Sequence, residues 1–234
     1  MDVRTLCVAS LGAIDYAAAL ELQSAIVSAR YQDKIGDTLL LLEHPQVYTL
    51  GRGADERYLL APPPGVPIHR VSRGGQVTYH GPGQLVGYPI LKLEGGDRDI
   101  IRYLRKLEEA MIDALATFGI AAGRRQGLTG VWAGSLKIAS IGVGLRRWIT
   151  LHGFALNVTT DLRYFDAIVP CGIEGCRMTS IAGLGHSEIS VATFAGAMRT
   201  SFAATFGYVS RAEVTRESLL KLVDSTVVGC EARS

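Results

Sequence analysis

Apolar residues recur every three to four positions in three stretches, and alternate with polar residues or run continuously in six others. The first helical stretch, over about 15–33, places Ala18, Leu22, Ala25, Ile26 and Ala29 on one face. The second, in DRDIIRYLRKLEEAMIDALATFGI, does the same with Ile100, Leu104, Leu107, Met111, Leu115 and Phe118. It is predicted to stop at Gly119, since glycine takes the left-handed C-cap without steric cost. The third, SVATFAGAMRTSFAATFG, lines up Val191, Phe194, Ala195, Met198 and Phe202.

The strand-like runs are TLLLLEH, VYTLG, QVTYHGPGQLVGYPILKL, LTGVWAG, LKIASIGVGL and WITLHGFALNV. Several follow one another across short turns with no helix between, which favours antiparallel neighbours. The pattern predicts an α+β fold with helices beside a mixed, mostly antiparallel sheet. No dinucleotide fingerprint follows a strand. APPPGVP at 61–67 reads as a rigid surface loop.

Of the 234 residues, 48% are hydrophobic and 20% charged, enough to build one globular domain over 1–234. A formal charge of +2 is too small to make nucleic acid the main partner. No apolar run approaches the roughly 18–20 residues of a membrane span. The opening MDVRTLCVAS reads as a first strand rather than a signal peptide, so a cytoplasmic protein with reduced thiols is expected.

That setting sharpens the question of the four cysteines, Cys7, Cys171, Cys176 and Cys230, whose spacing fits no zinc pattern. Pro170 and Gly172 frame Cys171, one restricting the backbone and the other leaving the thiol uncrowded, as at a loop tip aimed into a cleft. Cys176 has no such frame. RGGQVTYHGPGQ, residues 73–84, is too glycine-rich for a plain strand. It is either a hairpin turn or a place where the amides of Gly74 and Gly75, with Arg73 and His80 as donors, meet a carbonyl or phosphate. In SLKIASIGV, strict alternation puts Lys137 on the face of Ala139 and Ile141, opposite Leu136 and Ile138. That lysine is either at a solvated edge or in a pocket. His152 is either a base or a structural histidine.

RGGQVTYHGPGQ (Arg73–Gln84), KIASIG (Lys137–Gly142), HGFALN (His152–Asn157) and PCG (Pro170–Gly172), in this order, resemble the lipoyl(octanoyl) transferase family. The resemblance runs from about residue 42 to 181 and implies a motif-bearing core of about 36–210. It implies the fold of the biotin and lipoate protein ligase catalytic domains and octanoyl transfer, a step of protein lipoylation. Octanoyl-acyl carrier protein would be the donor. The acceptor lysine would lie on lipoyl domains of 2-oxoacid dehydrogenases or on glycine cleavage H protein. Cys171 would carry the acyl thioester and Lys137 would act as acid and base. Substrate contacts would come from Arg73, Gly74, Gly75, Gln76, Val77, Thr78, Tyr79 and His80, from Ser140, Ile141 and Gly142, and from Gly153, Phe154 and Ala155. No cofactor, ATP or metal is implied, and a monomer is expected. An ATP-dependent lipoate–protein ligase and a non-catalytic binding module are the alternatives; neither needs the framed thiol.

Three expectations follow from this chemistry. Backbone amides of the motif glycines, and His80, are candidates to hold the oxyanion. Arg146 and Arg147, then Arg124 and Arg125, are candidates to dock the acidic carrier protein. Val77, Ile141, Phe154 and Ala155 could line an acyl tunnel. Each buried methylene contributes only about 0.8 kcal/mol, so a sharp choice of chain length needs a closed tunnel end.

Overall fold

A computed structural model describes residues 4–221. Each helix starts on a side chain that accepts its first free N–H groups. Asp15 caps α1 (Tyr16–Tyr31), Asp99 caps α2 (Ile100–Ala116) and Ser190 caps α3 (Val191–Phe206). Helix α3 ends on Gly207 at φ 75°. Helix α2 ends at Ala116, short of the predicted Gly119. Its last turn tightens into bonds from Phe118 N–H to Leu115 O and from Gly119 N–H to Ala116 O.

Among the described residues the strands are β1 (Thr5–Ala13), β2 (Thr38–Glu43), β3 (Val47–Leu50), β4 (Ile68–Arg70), β5 (Val77–His80) and β6 (Gln84–Ile90). They continue with β7 (Gly123–Arg125), β8 (Leu128–Ala133), β9 (Leu136–Arg146), β10 (Ile149–Asn157) and β11 (Ser210–Glu213). Eight form one sheet in the order β11-β1-β2-β6-β10-β9-β8-β7. Strand β1 is parallel to both its neighbours and the other pairs are antiparallel, which makes the sheet mixed and mostly antiparallel as expected. A smaller sheet has the order β4-β3-β5. The predicted run QVTYHGPGQLVGYPILKL is therefore two strands. The turn at Gly81–Gly83 breaks it, sending β5 to the small sheet and β6 to the large one.

The run LLLL in β2 is apolar throughout because both faces are covered. Leu39 and Leu41 join the cluster under α2 and α3, with Leu107, Met111, Phe194 and Phe202; Leu40 and Leu42 face Leu22, Ile26 and Val27 of α1. A third cluster, holding Tyr48, Val77, Tyr79 and Phe165, sits on the small sheet. Tyr16, Val47 and Val71 join that sheet to the start of α1. No described helix is long and apolar enough to cross a membrane. Cys230 lies outside the described residues.

Candidate active site

A narrow cavity opens on the α1 side of the large sheet. It is lined from β5 and the loop before it (Arg73, Gly75–Thr78, His80), from β9 (Ser140–Gly142), from β10 (His152–Ala155), and by Tyr16, Tyr88 and Cys171. Lys137 Nζ donates to Cys171 Sγ at 3.0 Å, and Ser140 Oγ lies 3.8 Å from the same sulfur. Lys137 is 0% exposed, so it is not at a solvated edge but buried behind the cavity wall, reaching it through the Cys171 sulfur.

Strict alternation puts Lys137 and Ser140 on opposite faces, yet both reach one sulfur. The register between β8 and β9 explains this: Val131 pairs with Ala139 but Trp132 pairs with Lys137, so β9 carries one extra residue there. Such a bulge re-aims a side chain. On the neighbouring strand, Gly130 makes room for it. A Cβ at Gly130 would stand 2.7 Å from Lys137 Cε and 2.6 Å from Ala139 O, and its φ of +129° suits glycine. The N–H of Gly130 donates to the buried carboxylate of Glu108 at 3.0 Å; Arg105 and Arg124 also donate to Glu108. The indole of Trp132 lies 5.5 Å from Nζ. No carboxylate pairs with Lys137 among the described residues; the partner of its amine there is the Cys171 sulfur.

The loop that carries Cys171 is tied at both ends. Upstream, Val169 N–H donates to Tyr58 O at 2.8 Å; downstream, Lys137 N–H donates to Arg177 O and Thr179 N–H to Lys137 O, both at 2.9 Å. The lysine backbone itself therefore anchors the chain that carries the cysteine. Cys171 stands in a single helical turn, Pro170–Gly172, with φ 57° and ψ 15°. A non-glycine residue there carries about 1–2 kcal/mol of strain, and such strain gathers at functional sites. Cys176 lies outside the cavity lining, and burial pushes its thiol pKa up.

Arg73 is buried and spends all its donors on the protein. Its Nε and Nη2 reach Thr49 Oγ1, Nη2 also reaches Thr49 O, and Nη1 reaches Gly74 O and Gln76 O, all within 2.6–3.3 Å. It shapes the 73–76 loop and brings a positive charge to the cavity wall rather than offering free N–H groups, which corrects the donor role expected of it. Of the two glycine amides expected there, Gly74 N–H is taken by Val143 O at 2.8 Å. Gly75 N–H has no protein acceptor among the described residues and Gly75 lines the cavity, leaving it the oxyanion candidate.

His80 behaves differently from the expected donor. Gln84 Nε2 donates to Tyr79 O (3.2 Å) and to Asn157 Oδ1 (3.0 Å), so Gln84 Oε1 accepts from His80 Nδ1 at 2.8 Å. The proton sits on Nδ1, and Nε2 is an acceptor. Burial pushes the His80 pKa down to about 3, so the ring is neutral and is not an oxyanion donor. His152 is likewise neutral, pushed by burial to about 4; its Nε2 meets Ser72 Oγ at 3.2 Å and its Nδ1 has no partner among the described residues.

Of the remaining expected contacts, all but Tyr79 reach the cavity. Val77, Thr78, Ser140, Ile141, Gly142, Gly153, Phe154 and Ala155 line the cavity. Gln76 also lines it, though its Oε1 accepts from Asp55 N–H at 2.8 Å. The Tyr79 ring points the other way, stacked on Tyr164 at 4.8 Å between centroids and packed on Tyr48 and Phe165. Sequence reasoning does not find Tyr16 or Tyr88, which belong to distant elements and carry no local signal. Nor does it find the Gln84–Asn157 pair, which only the topology brings together. Among the described residues no three metal-ligating side chains cluster.

The sequence model of the lipoyl protein ligase A/B catalytic domain matches residues 15–203, and the chain belongs to that family. The fold agrees: a bipartite lipoate protein ligase from Thermoplasma acidophilum superposes with a TM-score of 0.67 at 20% identity, covering 96% of this chain and 91% of that one. A biotin protein ligase from Aquifex aeolicus gives 0.51 at 10% identity over 87% and 69%. Within the family, the chain is 55% identical over 188 residues to the octanoyltransferase of Solibacter usitatus, covering 78% of this chain and 85% of the relative. It is 46% identical over 204 residues to that of Geobacter metallireducens, covering 87% and 93%.

Proposed function

We propose that this chain is an octanoyltransferase of protein lipoylation, moving an octanoyl group from its carrier protein to a lysine of a lipoyl domain through Cys171. The observation that carries the mechanism is the 3.0 Å contact between Lys137 Nζ and Cys171 Sγ, with the sulfur on the wall of a narrow cavity. An ammonium at that distance favours the thiolate, which is the nucleophile. Sulfur attacks the octanoyl carbonyl, and a new C–S bond forms as the bond to the carrier's pantetheine sulfur breaks. Lys137 gives that leaving sulfur its proton and becomes neutral. The acceptor lysine, as a free amine, then attacks the Cys171 thioester. Neutral Lys137 takes the proton released as the C–N bond forms, and the Cys171 thiolate leaves. The first half-reaction consumes the ion pair and the second restores it, so the full cycle leaves no net change in protons on the enzyme.

The other residues support these steps. Gly75 N–H meets the developing oxyanion and the Arg73 charge adds to its stabilisation. His80 lines the cavity, and its unprotonated Nε2 would accept from the incoming amine. Val77, Ile141, Phe154 and Ala155 line the path of the chain. Arg52 and Arg146, both exposed and free of carboxylate partners among the described residues, line a groove of about 600 Å³ beside Gly74 and would meet the acidic carrier protein. Arg124 is held by Glu108 and Glu109 and is the weaker docking candidate; Arg125 and Arg147 cover the rings of Trp132 and Tyr31. The acceptors would be lipoyl domains of 2-oxoacid dehydrogenases and glycine cleavage H protein, met in the cytoplasm, where the thiol stays reduced.

The test offers a lipoyl domain two donors, octanoyl carrier protein or octanoate with ATP. Octanoylation from the carrier protein alone is expected. Transfer only from octanoate with ATP would assign the chain to the ligases instead.

A further inference from the structure

The reaction cavity crosses the sheet. From Cys171 it passes over β9 at Ser140–Gly142 and β10 at Gly153–Ala155 to Tyr88 on β6. Two strand spacings make this about 10 Å, a span that suits an extended medium-length acyl chain. Tyr16, the first residue of α1, lines the cavity as well, its ring packed on His80 and on His44, whose Nε2 meets the Tyr88 hydroxyl.

Tyr16 also lines a second cavity, of about 220 Å³, with Asp15, Pro45, Val47, Gly65 and Pro67. Asp15, Pro45, Gly65 and Pro67 are exposed, so this cavity opens at the surface. The reaction cavity is far tighter, about 40 Å³. No other residue lines both. The tyrosine is 3% exposed, and three imidazoles hold its ring: His44 edge-on at 5.0 Å, His69 tilted at 5.3 Å and His80 stacked at 6.0 Å between centroids. His44 is itself fixed, with Nδ1 on Ile14 O at 2.7 Å and Nε2 on Tyr88 O–H at 2.8 Å. The Asp15 cap fixes the backbone from which the ring projects.

From this arrangement we infer that Tyr16 is the stop that sets acyl-chain length, a rigid partition between the reaction cavity and an outer pocket that longer chains would otherwise enter. The inference rests on the acyl transfer proposed above. Methylene burial alone discriminates weakly, whereas a wall rejects any chain that must pass through it. Removing the ring joins the two spaces and gives additional methylenes an apolar path past Val47.

The experiment loads the enzyme from octanoyl, decanoyl, dodecanoyl and tetradecanoyl carrier protein and follows acyl-enzyme formation by intact mass. Wild type is expected to load octanoyl and to fall steeply with the longer chains. In Tyr16→Ala the dodecanoyl-to-octanoyl rate ratio should rise by about tenfold or more, since four further methylenes find room. Tyr16→Leu, which keeps a smaller plug, should raise it less. Tyr16→Phe, which keeps the ring, should hold the wild-type ratio. An unchanged ratio in folded Tyr16→Ala and Tyr16→Leu overturns the inference, as does a rise in Tyr16→Phe equal to that in Tyr16→Ala. Failure of wild type to load any chain on Cys171 would instead refute the transfer chemistry.

Discussion

Under α2 and α3 the large sheet meets its helices through Leu41, Leu85, Leu156, Met111, Phe194 and Phe202, side chains that need only volume and shape. On the opposite face α1 covers part of the sheet in the same way, but beside it the structure buries Arg73, His80, His152, Gln84, Asn157 and Lys137. A dry core of the first kind tolerates swaps that keep volume. A buried polar set does not, because each group left without its partner costs about 1–3 kcal/mol or more. Stability and chemistry are therefore separable by face, and substitutions on the two faces should fail in different ways.

The largest effect belongs to the polar face. Cys171→Ser should lower kcat by about 10⁴-fold or more and Lys137→Ala by about 10²–10⁴-fold, with melting temperatures close to wild type. Transfer kinetics and thermal unfolding check this; loss of folding in both variants would break the separation. Phe202→Ala, on the dry face, should cost about 3–5 kcal/mol of stability while kcat of the remaining folded enzyme stays near wild type. Urea unfolding with kinetics on the same samples decides.

Gly130→Ala sharpens the comparison, because it sits behind the lysine without touching substrate. Its Cβ would push Lys137 Cε from 2.7 Å, and a shift of about 1 Å from the sulfur should cost on the order of 10²-fold in kcat with little change in KM. Acid should act through the polar face as well. His44, His80 and His152 are held neutral by burial, with pKa values near 4, 3 and 4 against an unperturbed value near 6.5. Below about pH 6.5 the unfolded chain binds protons that the folded one refuses. Stability is then complete above that pH and falls toward pH 4, by up to about 1.4 kcal/mol per pH unit for each histidine. Urea midpoints at pH 7 and pH 5 test the sign. Least of all, Cys176→Ser should leave the rate within about twofold.

How much of this the sequence discloses depends on whether the cause is local. Periodicity of 3.6 residues is local, so the three helices can be read from their apolar stripes; the structure adds the caps Asp15, Asp99 and Ser190. The framing of Cys171 by Pro170 and Gly172 is local too, and so is the glycine-rich loop that exposes the Gly75 amide. Lys137 is only half legible. Alternation gives it a face, but the extra residue in β9 turns it to the other one, and a bulge has no mark in KIASIG beyond the small residues. Arg73 and His80 read as donors because isolated side chains do. Thr49, 24 positions before Arg73, and Gln84, paired with Asn157 at a separation of 73, consume or reverse those capacities. Tyr16 and Tyr88 reach the cavity through the packing of α1 against β6, which no short window of sequence contains.

The contact between the amine at 137 and the sulfur at 171 is most directly tested by intact mass and peptide mapping after brief mixing with octanoyl carrier protein. One octanoyl group, sensitive to hydroxylamine and located on Cys171, is predicted for wild type, with loading slowed by at least about 10²-fold in Lys137→Ala. An acyl group on Cys176, or equal loading without the lysine, would contradict the account.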